Sequence, residues 1–211
     1  TLFPGKGDTP RTLVRKFIYP KVGGIGELAR GYAKLIEANG GQIHVNSPAI
    51  RVHHDGDLNV TGIEYGKHKR EIITGDEYLN TIPITSLAKA LSPAAPKHVL
   101  DHVAALKYIS IVFVYLKLNR ESVSPDSWVY LPEKHLTVHR ISEFRNFSKH
   151  CAPEGKTMVC AEITCRRGDK IWRMNPNDLQ DVAERDLMSV GLIPQGGSHH
   201  SSATRLPAAS P

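Results

Sequence analysis

Long apolar runs are absent from this 211-residue sequence. The longest, at 109–116, is far shorter than the roughly 20 residues that a membrane-spanning helix needs, so no transmembrane segment is predicted. Aromatic residues make up only 7% of the chain, and its basic stretches are short and lack interleaved aromatics. This pattern argues against nucleic acid as a partner despite a net charge of +6, and it leaves peripheral contact with a membrane open. The 40% of hydrophobic residues that are present are typical of a folded domain.

The sequence also lacks the common motifs of disulfide, metal and hydrolytic chemistry. Its three cysteines, Cys151, Cys160 and Cys165, form no CxxC pair, which favours a reducing cytoplasm as the compartment. HExxH is absent, and the few paired histidines have spacings that predict surface residues, so no metal site is expected. Without a G-x-S-x-G motif, no catalytic residue is assigned.

Periodicity predicts an α+β or α/β fold in which helices flank two sets of strands. The clearest helix begins at Glu27, carries Leu28, Tyr32, Leu35 and Ile36 on one face, and ends at Gly40. Further helices are expected after a cap at Thr85 or Ser86, around 99–106, and after a cap at Asn177. Alternation predicts strands at 42–45, 50–53, 60–65, 71–73, 78–82, 109–118, 128–131, 136–139 and 158–164.

Composition divides the chain into four predicted segments. An irregular lead-in occupies 1–13, a first domain with a helix and a β-meander occupies 14–92, and a second domain with a mainly antiparallel sheet occupies 93–194. The last segment, 195–211, is small, polar and rich in serine, proline and alanine, and it is expected to be disordered.

Two segments have two interpretations each. The run 24–29 (GIGELA) matches the dinucleotide pattern G-x-G-x-x-G/A before a helix, but no acidic residue follows at the end of the next strand, so a simple glycine-rich helix entry is the alternative. In the run 140–148 (RISEFRNFS), the arginines are expected either to bind an anionic ligand or to pair with Glu143 or Glu162. Glu162 lies in an apolar strand, so it is expected to be paired or to line a cavity.

Four blocks taken together carry a family resemblance: 19–28 (YPKVGGIGEL), 39–43 (NGGQI), 46–52 (NSPAIRV) and 80–83 (NTIP). Their order and spacing resemble the flavin-containing amine oxidase superfamily, especially its protoporphyrinogen oxidase and phytoene desaturase-like branch, over residues 14–192. The resemblance implies that 14–92 is part of an FAD-binding domain and that 93–194 is a substrate domain.

The resemblance also implies site residues and a reaction. FAD is the expected cofactor, and its expected contacts are Gly24, Gly26, Ala49 (through the backbone), Thr81, Ile82 and Pro83. Tyr130, Arg140 and Asn146 are expected in the substrate domain as candidate ligands of a small-molecule substrate. The implied chemistry is hydride transfer from that substrate to the flavin.

The family pattern includes an opening G-x-G-x-x-G strand-loop-helix and a closing glycine segment, and neither is found here. The chain is therefore expected to be an internal fragment that is inactive alone. Two alternatives accompany this hypothesis: an enzyme like UDP-galactopyranose mutase, whose sugar-nucleotide substrate would suit Arg140 and Arg145, and a non-catalytic remnant or binding module. The oligomeric state is not predicted.

Overall fold

The computed structural model of this chain describes residues 18–194 and 196–210, with side chains described as far as residue 207. The lead-in predicted at 1–13 lies outside the described residues. The helices are α1 (Gly26–Ala38), α2 (Ile84–Ala90), α3 (Lys97–Ala105), α4 (Phe144–Phe147), α5 (Lys170–Arg173) and α6 (Pro176–Ser189). The strands are β1 (Ala49–His54), β2 (Val60–Tyr65), β3 (Glu71–Ile73), β4 (Leu91–Ser92), β5 (Ile109–Leu118), β6 (Trp128–Tyr130), β7 (Arg140–Glu143), β8 (Thr157–Cys165) and β9 (Ser198–Ser210).

The strands form two sheets, which gives the α+β architecture that was predicted. The first sheet has the order β3-β2-β1-β4, with β1 antiparallel to β2 and parallel to β4. The second has the order β6-β7-β8-β5-β9, and β7 is antiparallel to both β6 and β8. No helix among the described residues combines the length and the apolarity that crossing a membrane requires.

The main hydrophobic core lies between the second sheet and α6. Successive strand residues point to opposite faces, so alternate residues of each strand share the inner face. Its fully buried members from β5, β8 and α6 are Val112, Val114, Leu116, Leu118, Val159, Ala161, Ile163, Leu179, Ala183 and Leu187. The opposite face of this sheet, which we call the outer face, is thereby left for side chains with another role.

The described part of the chain divides into two compact units. One unit contains the described residues as far as Lys34 together with Ile111–Arg205, and the other contains Leu35–Ser110 with the residues from Leu206 onward. The hydrophobic cluster around α6 belongs entirely to the first unit.

Helix α1 confirms the predicted helix but buries none of its residues. Its apolar side chains Leu28, Tyr32 and Leu35 are each more than half exposed. An amphipathic pattern predicts that one face of a helix packs against a core, and the described residues supply no core for this face.

Three predicted strands are not formed, and two of them have a clear physical cause. In 78–82, the Asn80 side chain bonds to both the backbone N–H and the carbonyl of Ile82, a local turn that competes with strand pairing. In 136–139, the backbone N–H groups of Thr137 and Val138 donate to the carboxylate of Asp186 on α6, at 2.5 and 3.0 Å. The strand therefore begins only at Arg140. The segment 42–45 is exposed and joins neither sheet.

Two predicted helix caps are wrong. Helix α6 is capped by Asn175, whose Oδ1 accepts from the Asp178 N–H at 2.9 Å, and Pro176 occupies the first helical position, where its missing N–H does not matter. Asn177 is thus already inside the helix. Helix α2 starts after Pro83 with no side-chain cap, so neither Thr85 nor Ser86 has this role.

The tail that was predicted to be disordered contains the strand β9, which lies beside β5. Its polar side chains have partners on the unit's surface: Arg205 donates to the carbonyls of Trp172 and Met174 at 2.8 and 2.5 Å, and Ser198 bonds with Gln180 at 3.0 Å. Low apolar content predicted disorder, but an edge strand gains its hydrogen bonds from the neighbouring backbone and needs little burial of its own.

His54 links β1 to the chain after β4 and predicts a pH-dependent stability. Its Nδ1 lies 2.7 Å from the carbonyl of Asp55 and its Nε2 lies 2.8 Å from the carbonyl of Pro93. Two carbonyls can both be satisfied only by the doubly protonated ring, so these hydrogen bonds raise the pKa of His54 above its ordinary value.

Because the folded-state pKa is raised, the stabilisation is complete below the unfolded pKa and is lost as pH rises through the folded pKa. We expect His54→Gln to lower the urea midpoint more at pH 5.5 than at pH 8.5. The wild type and His54→Gln share all other titrating groups, so the difference between their urea midpoints at each pH reports on His54 alone. A larger loss at pH 8.5 would contradict the assignment.

Candidate functional site

The register of the second sheet brings polar side chains into rows on its outer face. Tyr130 is opposite Arg140, and Arg140 is opposite Glu162, so these three side chains lie side by side across β6, β7 and β8. The neighbouring row contains Trp128, Ser142 and Cys160 in the same order. The outer face thus presents a short polar row beside a more apolar one.

Arg140 and Glu162 form a two-pronged ion pair, as one of the two interpretations of the run 140–148 predicts for this arginine. Nε and Nη2 of Arg140 donate to the two carboxylate oxygens of Glu162 at 2.9 and 2.7 Å. The Glu162 side chain is 5% exposed and that of Arg140 is 35% exposed. The hydrogen bonds to Glu162 raise the pKa of Arg140, and the guanidinium supplies the partner that a buried carboxylate requires.

Tyr130 borders the guanidinium on the solvent side. Arg140 Cζ lies 5.7 Å from the centre of the Tyr130 ring, and Nη1 lies 3.4 Å from its hydroxyl oxygen. Tyr130 is 60% exposed. A ligand that approaches this row from solvent therefore meets a phenol and guanidinium N–H groups before it meets the carboxylate.

Cys160, in the neighbouring row, is buried and its thiol is unreactive. Burial, and secondarily the negative charge of Glu162, raises the pKa of its thiol to about 12. At pH 8 roughly one such thiol in ten thousand is ionised, and the thiolate is the nucleophilic form. A covalent role for Cys160 is thus disfavoured.

We expect Cys160 to resist a thiol reagent such as DTNB in the native protein at pH 8, because it is both buried and un-ionised. Cys151 and Cys165 are partly exposed, so at most two thiols should react before guanidinium is added. The Cys160→Ser variant should show the same number of DTNB-reactive thiols as the wild type in the native state, and one fewer in denaturant. Three thiols reacting rapidly without denaturant would be the contrary result.

Aromatic contacts connect the outer face to the glycine-rich turn before α1. The Tyr19 ring lies 5.2 Å from that of Phe147, which lies 6.0 Å from the ring of Trp128. Ser148 Oγ donates to the carbonyl of Lys21 at 2.6 Å. The Tyr19 hydroxyl accepts from the backbone N–H of Ile25, while burial raises its pKa. The turn at 23–26 is therefore attached to the unit that carries the outer face.

The geometry of the turn explains its glycines. Gly23 and Gly24 have φ values of +85° and +69°, a region that other residues rarely adopt. The Glu27 side chain folds back against Gly23, where a Cβ would meet it at 2.2 Å, and Arg30 pairs with Glu27 at 2.5 Å while also donating to the Gly23 carbonyl. Beside Gly24, by contrast, the nearest atom to an added Cβ would be the Tyr19 hydroxyl at 3.6 Å.

The family model for flavin containing amine oxidoreductases matches residues 5–202. The chain belongs to the flavin-containing amine oxidoreductase family. Among curated proteins, none matches it.

Solved structures share the fold of this flavin-containing amine oxidoreductase at low identity. A reduced UDP-galactopyranose mutase has a TM-score of 0.73 at 18% identity, covering 92% of this chain and 40% of its own. An oxidoreductase from Methanosarcina mazei has a TM-score of 0.64 at 16% identity, and the match covers 88% of this chain and 43% of the oxidoreductase. A putrescine oxidase bound to putrescine has a TM-score of 0.58 at 11% identity, and the match covers 85% of this chain and 38% of the oxidase. The chain thus spans about two fifths of the length of these structures.

A flavin is the cofactor of the family, and the predicted contact residues fit it unequally. The turn at Gly24 and Gly26 is a poor phosphate site, because the Glu27 carboxylate lies against it and the N–H groups of Glu27 and Leu28 already donate to the carbonyls of Gly24 and Ile25. The helix-entry interpretation is therefore favoured. The space beside Gly24 still leaves its backbone open to close approach.

The other predicted contacts with the flavin cofactor lie in the second unit. Ala49 is exposed at the start of β1, and β4 pairs with β1 only at Val52 and His53. Within the described residues, the backbone edge at Ala49 on the β4 side is thus free to bond a ligand. The run 81–83 is exposed just before α2. These positions fit a ligand that is recognised through backbone groups.

Asn146 takes a place apart from Tyr130 and Arg140. Its Nδ2 donates to the carbonyls of Ser124 and Asp126, both at 2.7 Å, and it lies 3.2 Å from a carboxylate oxygen of Glu143. Its amide hydrogens therefore hold a loop of the flavoenzyme fold.

Tyr19, which sequence reasoning had not weighed as a site residue, becomes prominent because it joins the glycine turn to the outer face.

The described residues contain no cluster of potential metal ligands. Within residues 18–194 and 196–210, no three His, Cys, Asp or Glu side chains are grouped so that they could share a metal ion.

Proposed function

We propose that this chain forms part of an FAD-dependent oxidoreductase, with the outer face of the second sheet as its substrate-binding surface. The main support is the row of Tyr130, Arg140 and Glu162, a fixed and partly exposed polar group in the same compact unit as the glycine-rich turn. When bound, FAD supplies the acceptor for a hydride taken from a small organic substrate. The protein's contribution is to bind and orient that substrate and to exclude water.

In this proposal Arg140 and Tyr130 bind the polar end of the substrate, since both reach solvent from one row. Trp128, in the neighbouring row, contacts its apolar part. Ala49 bonds the cofactor through its backbone, and Thr81, Ile82 and Pro83 line the cofactor. Glu162 acts through Arg140, whose orientation it fixes.

We further propose that tight FAD binding needs a longer polypeptide than these 211 residues. The exposed apolar face of α1 supports this, since such a face normally packs against other protein. The coverage of about two fifths of related structures agrees with it. On this view the isolated chain is inactive.

A sugar-nucleotide substrate, as in a mutase-like enzyme, has weaker support. That alternative used Arg140 and Arg145 together for an anionic ligand. Arg145 is 18% exposed, and its guanidinium already donates to the carbonyls of Pro153 and Lys156 and to Glu121. It therefore has a structural role that leaves Arg140 without a second arginine.

The test is the visible absorbance of the purified chain after FAD is added and free FAD is removed by gel filtration. A longer version, extended by the flanking coding sequence, is treated in parallel. We expect flavin bands that co-elute with the longer protein only. Bands retained by the 211-residue chain would refute the need for more polypeptide, and bands in neither would refute FAD binding and favour a non-catalytic remnant.

Two substitutions at Ala49 sharpen the test in the longer protein. Ala49→Pro removes the backbone N–H at the first residue of a strand, a position that tolerates proline, and should reduce flavin retention. Ala49→Val enlarges the side chain without altering backbone groups and should retain the flavin. Equal retention by the two variants would remove Ala49 from the cofactor site.

A further inference from the structure

The guanidinium of Arg140 has one edge that the protein uses and one that it leaves available. A guanidinium presents five N–H donors in one plane, as two edges that each match the two oxygens of a carboxylate. The edge formed by Nε and Nη2 is engaged by Glu162. The other edge, formed by Nη1 and the second N–H of Nη2, makes one hydrogen bond among the described residues, from Nη1 to the Tyr130 hydroxyl at 3.4 Å.

The charges on this face determine which ligand groups it accepts. Glu162 lies beside Arg140 and is nearly buried, and both of its carboxylate oxygens already accept hydrogen bonds from the guanidinium that they orient. An approaching group therefore meets N–H donors and the Tyr130 hydroxyl, which accepts weakly from Nη1 and can donate its own hydrogen outward. An ammonium group would meet donors and a positive charge, and the carboxylate of this row, Glu162, is already paired with Arg140.

We infer that this site, taken as the substrate surface proposed above, recognises a carboxylate on its ligand rather than an amine. The ligand carboxylate accepts two parallel N–H bonds from the free edge of Arg140 and a third from Tyr130. The pair of Arg140 and Glu162 is neutral overall, so a single negative charge is accommodated with less repulsion from Glu162 than a doubly charged phosphate. The apolar remainder of the ligand lies along Trp128 in the neighbouring row.

The test uses benzoate and benzylamine as probes of the whole 211-residue chain, with saturation-transfer NMR to rank them and a benzoate titration to measure affinity. We expect saturation transfer to benzoate and none, or much less, to benzylamine. In Arg140→Lys, which keeps the positive charge but loses the planar edge, benzoate should bind about tenfold more weakly. Tyr130→Phe leaves the ion pair in place, removes the third donor, and should weaken benzoate by a smaller factor.

Arg167→Lys is the matched control, because it makes the same change at an exposed arginine of the same unit and should leave benzoate binding unchanged. Circular dichroism establishes that each variant is folded. If Arg140→Lys does not fold, Tyr130→Phe still tests the inference. Preference for benzylamine, no binding of benzoate, or equal losses in the Arg140 and Arg167 variants would overturn it. None of these readouts involves flavin, so a failure here is distinct from a failure of the absorbance test.

Discussion

Replacing Glu143 by alanine is expected to destabilise the first unit by about 3–5 kcal/mol, among the largest effects of any single substitution in this chain. The carboxylate is 1% exposed at the end of β7 and has no cationic partner among the described residues. Its charge is balanced by neutral donors within 2.7–3.2 Å: the N–H groups of Val123 and Ser124, the hydroxyls of Ser122 and Thr157, and the amide of Asn146. Alanine leaves the N–H groups of Val123 and Ser124 and the hydroxyl of Thr157 without this acceptor, whereas Ser122 and Asn146 keep their carbonyl acceptors.

The measurement is the urea midpoint followed by tryptophan fluorescence, which reports on the first unit because Trp128 and Trp172 both belong to it. Glu143→Gln keeps the shape and one acceptor, so it should fall between alanine and the wild type. Glu121→Ala removes a glutamate whose side chain is 71% exposed and should change stability by less than about 0.5 kcal/mol. If Glu143→Ala behaved like Glu121→Ala, the loop at 122–124 would not depend on this carboxylate.

Sequence patterns predicted the elements in which local and tertiary demands agree. Strand β5 was predicted at its observed limits because its alternation matches a sheet with one deeply buried face. Helix α1 was predicted because glycines end it and apolar residues repeat along it. The periodicity of α1, however, does not indicate that its apolar face is exposed. Periodicity shows a tendency to pack and not the presence of a partner.

The failures arose where a side chain from a distant part of the sequence decides the backbone. The segment 136–139 alternates like a strand, but Asp186, nearly fifty residues later, takes the N–H groups of Thr137 and Val138. The tail has few apolar residues, yet β5 provides an edge along which β9 forms. Such contacts depend on tertiary structure and leave no local signal.

The candidate site was predicted in part for a related reason. Glu162 in an apolar strand signalled a partner, because an unpaired buried carboxylate is costly, and Arg140 was among the arginines considered for it. The strand register identifies which arginine of the run 140–148 is the partner, since only Arg140 is directly opposite Glu162. The loop-holding role of Asn146 depends on carbonyls twenty residues away, which spacing could not reveal.

Breaking the ion pair from one side should cost far more than removing it altogether. Arg140→Leu leaves the carboxylate of Glu162 nearly buried without its cation, and we expect a loss of about 3 kcal/mol, at the lower end for a buried pair because Arg140 itself reaches solvent. The double variant Arg140→Leu/Glu162→Leu removes the stranded charge and fills the row with apolar groups. It should recover to within about 1 kcal/mol of the wild type.

The same urea titration on the wild type, both single variants and the double variant gives the coupling energy between the two side chains. A large coupling with recovery in the double variant means that the pair contributes little net stability and is retained for the surface that it presents. In that case the double variant should be folded but unable to bind benzoate. A double variant as unstable as Arg140→Leu would instead mean that the pair holds β7 against β8, which would give Arg140 a structural role before any role in binding.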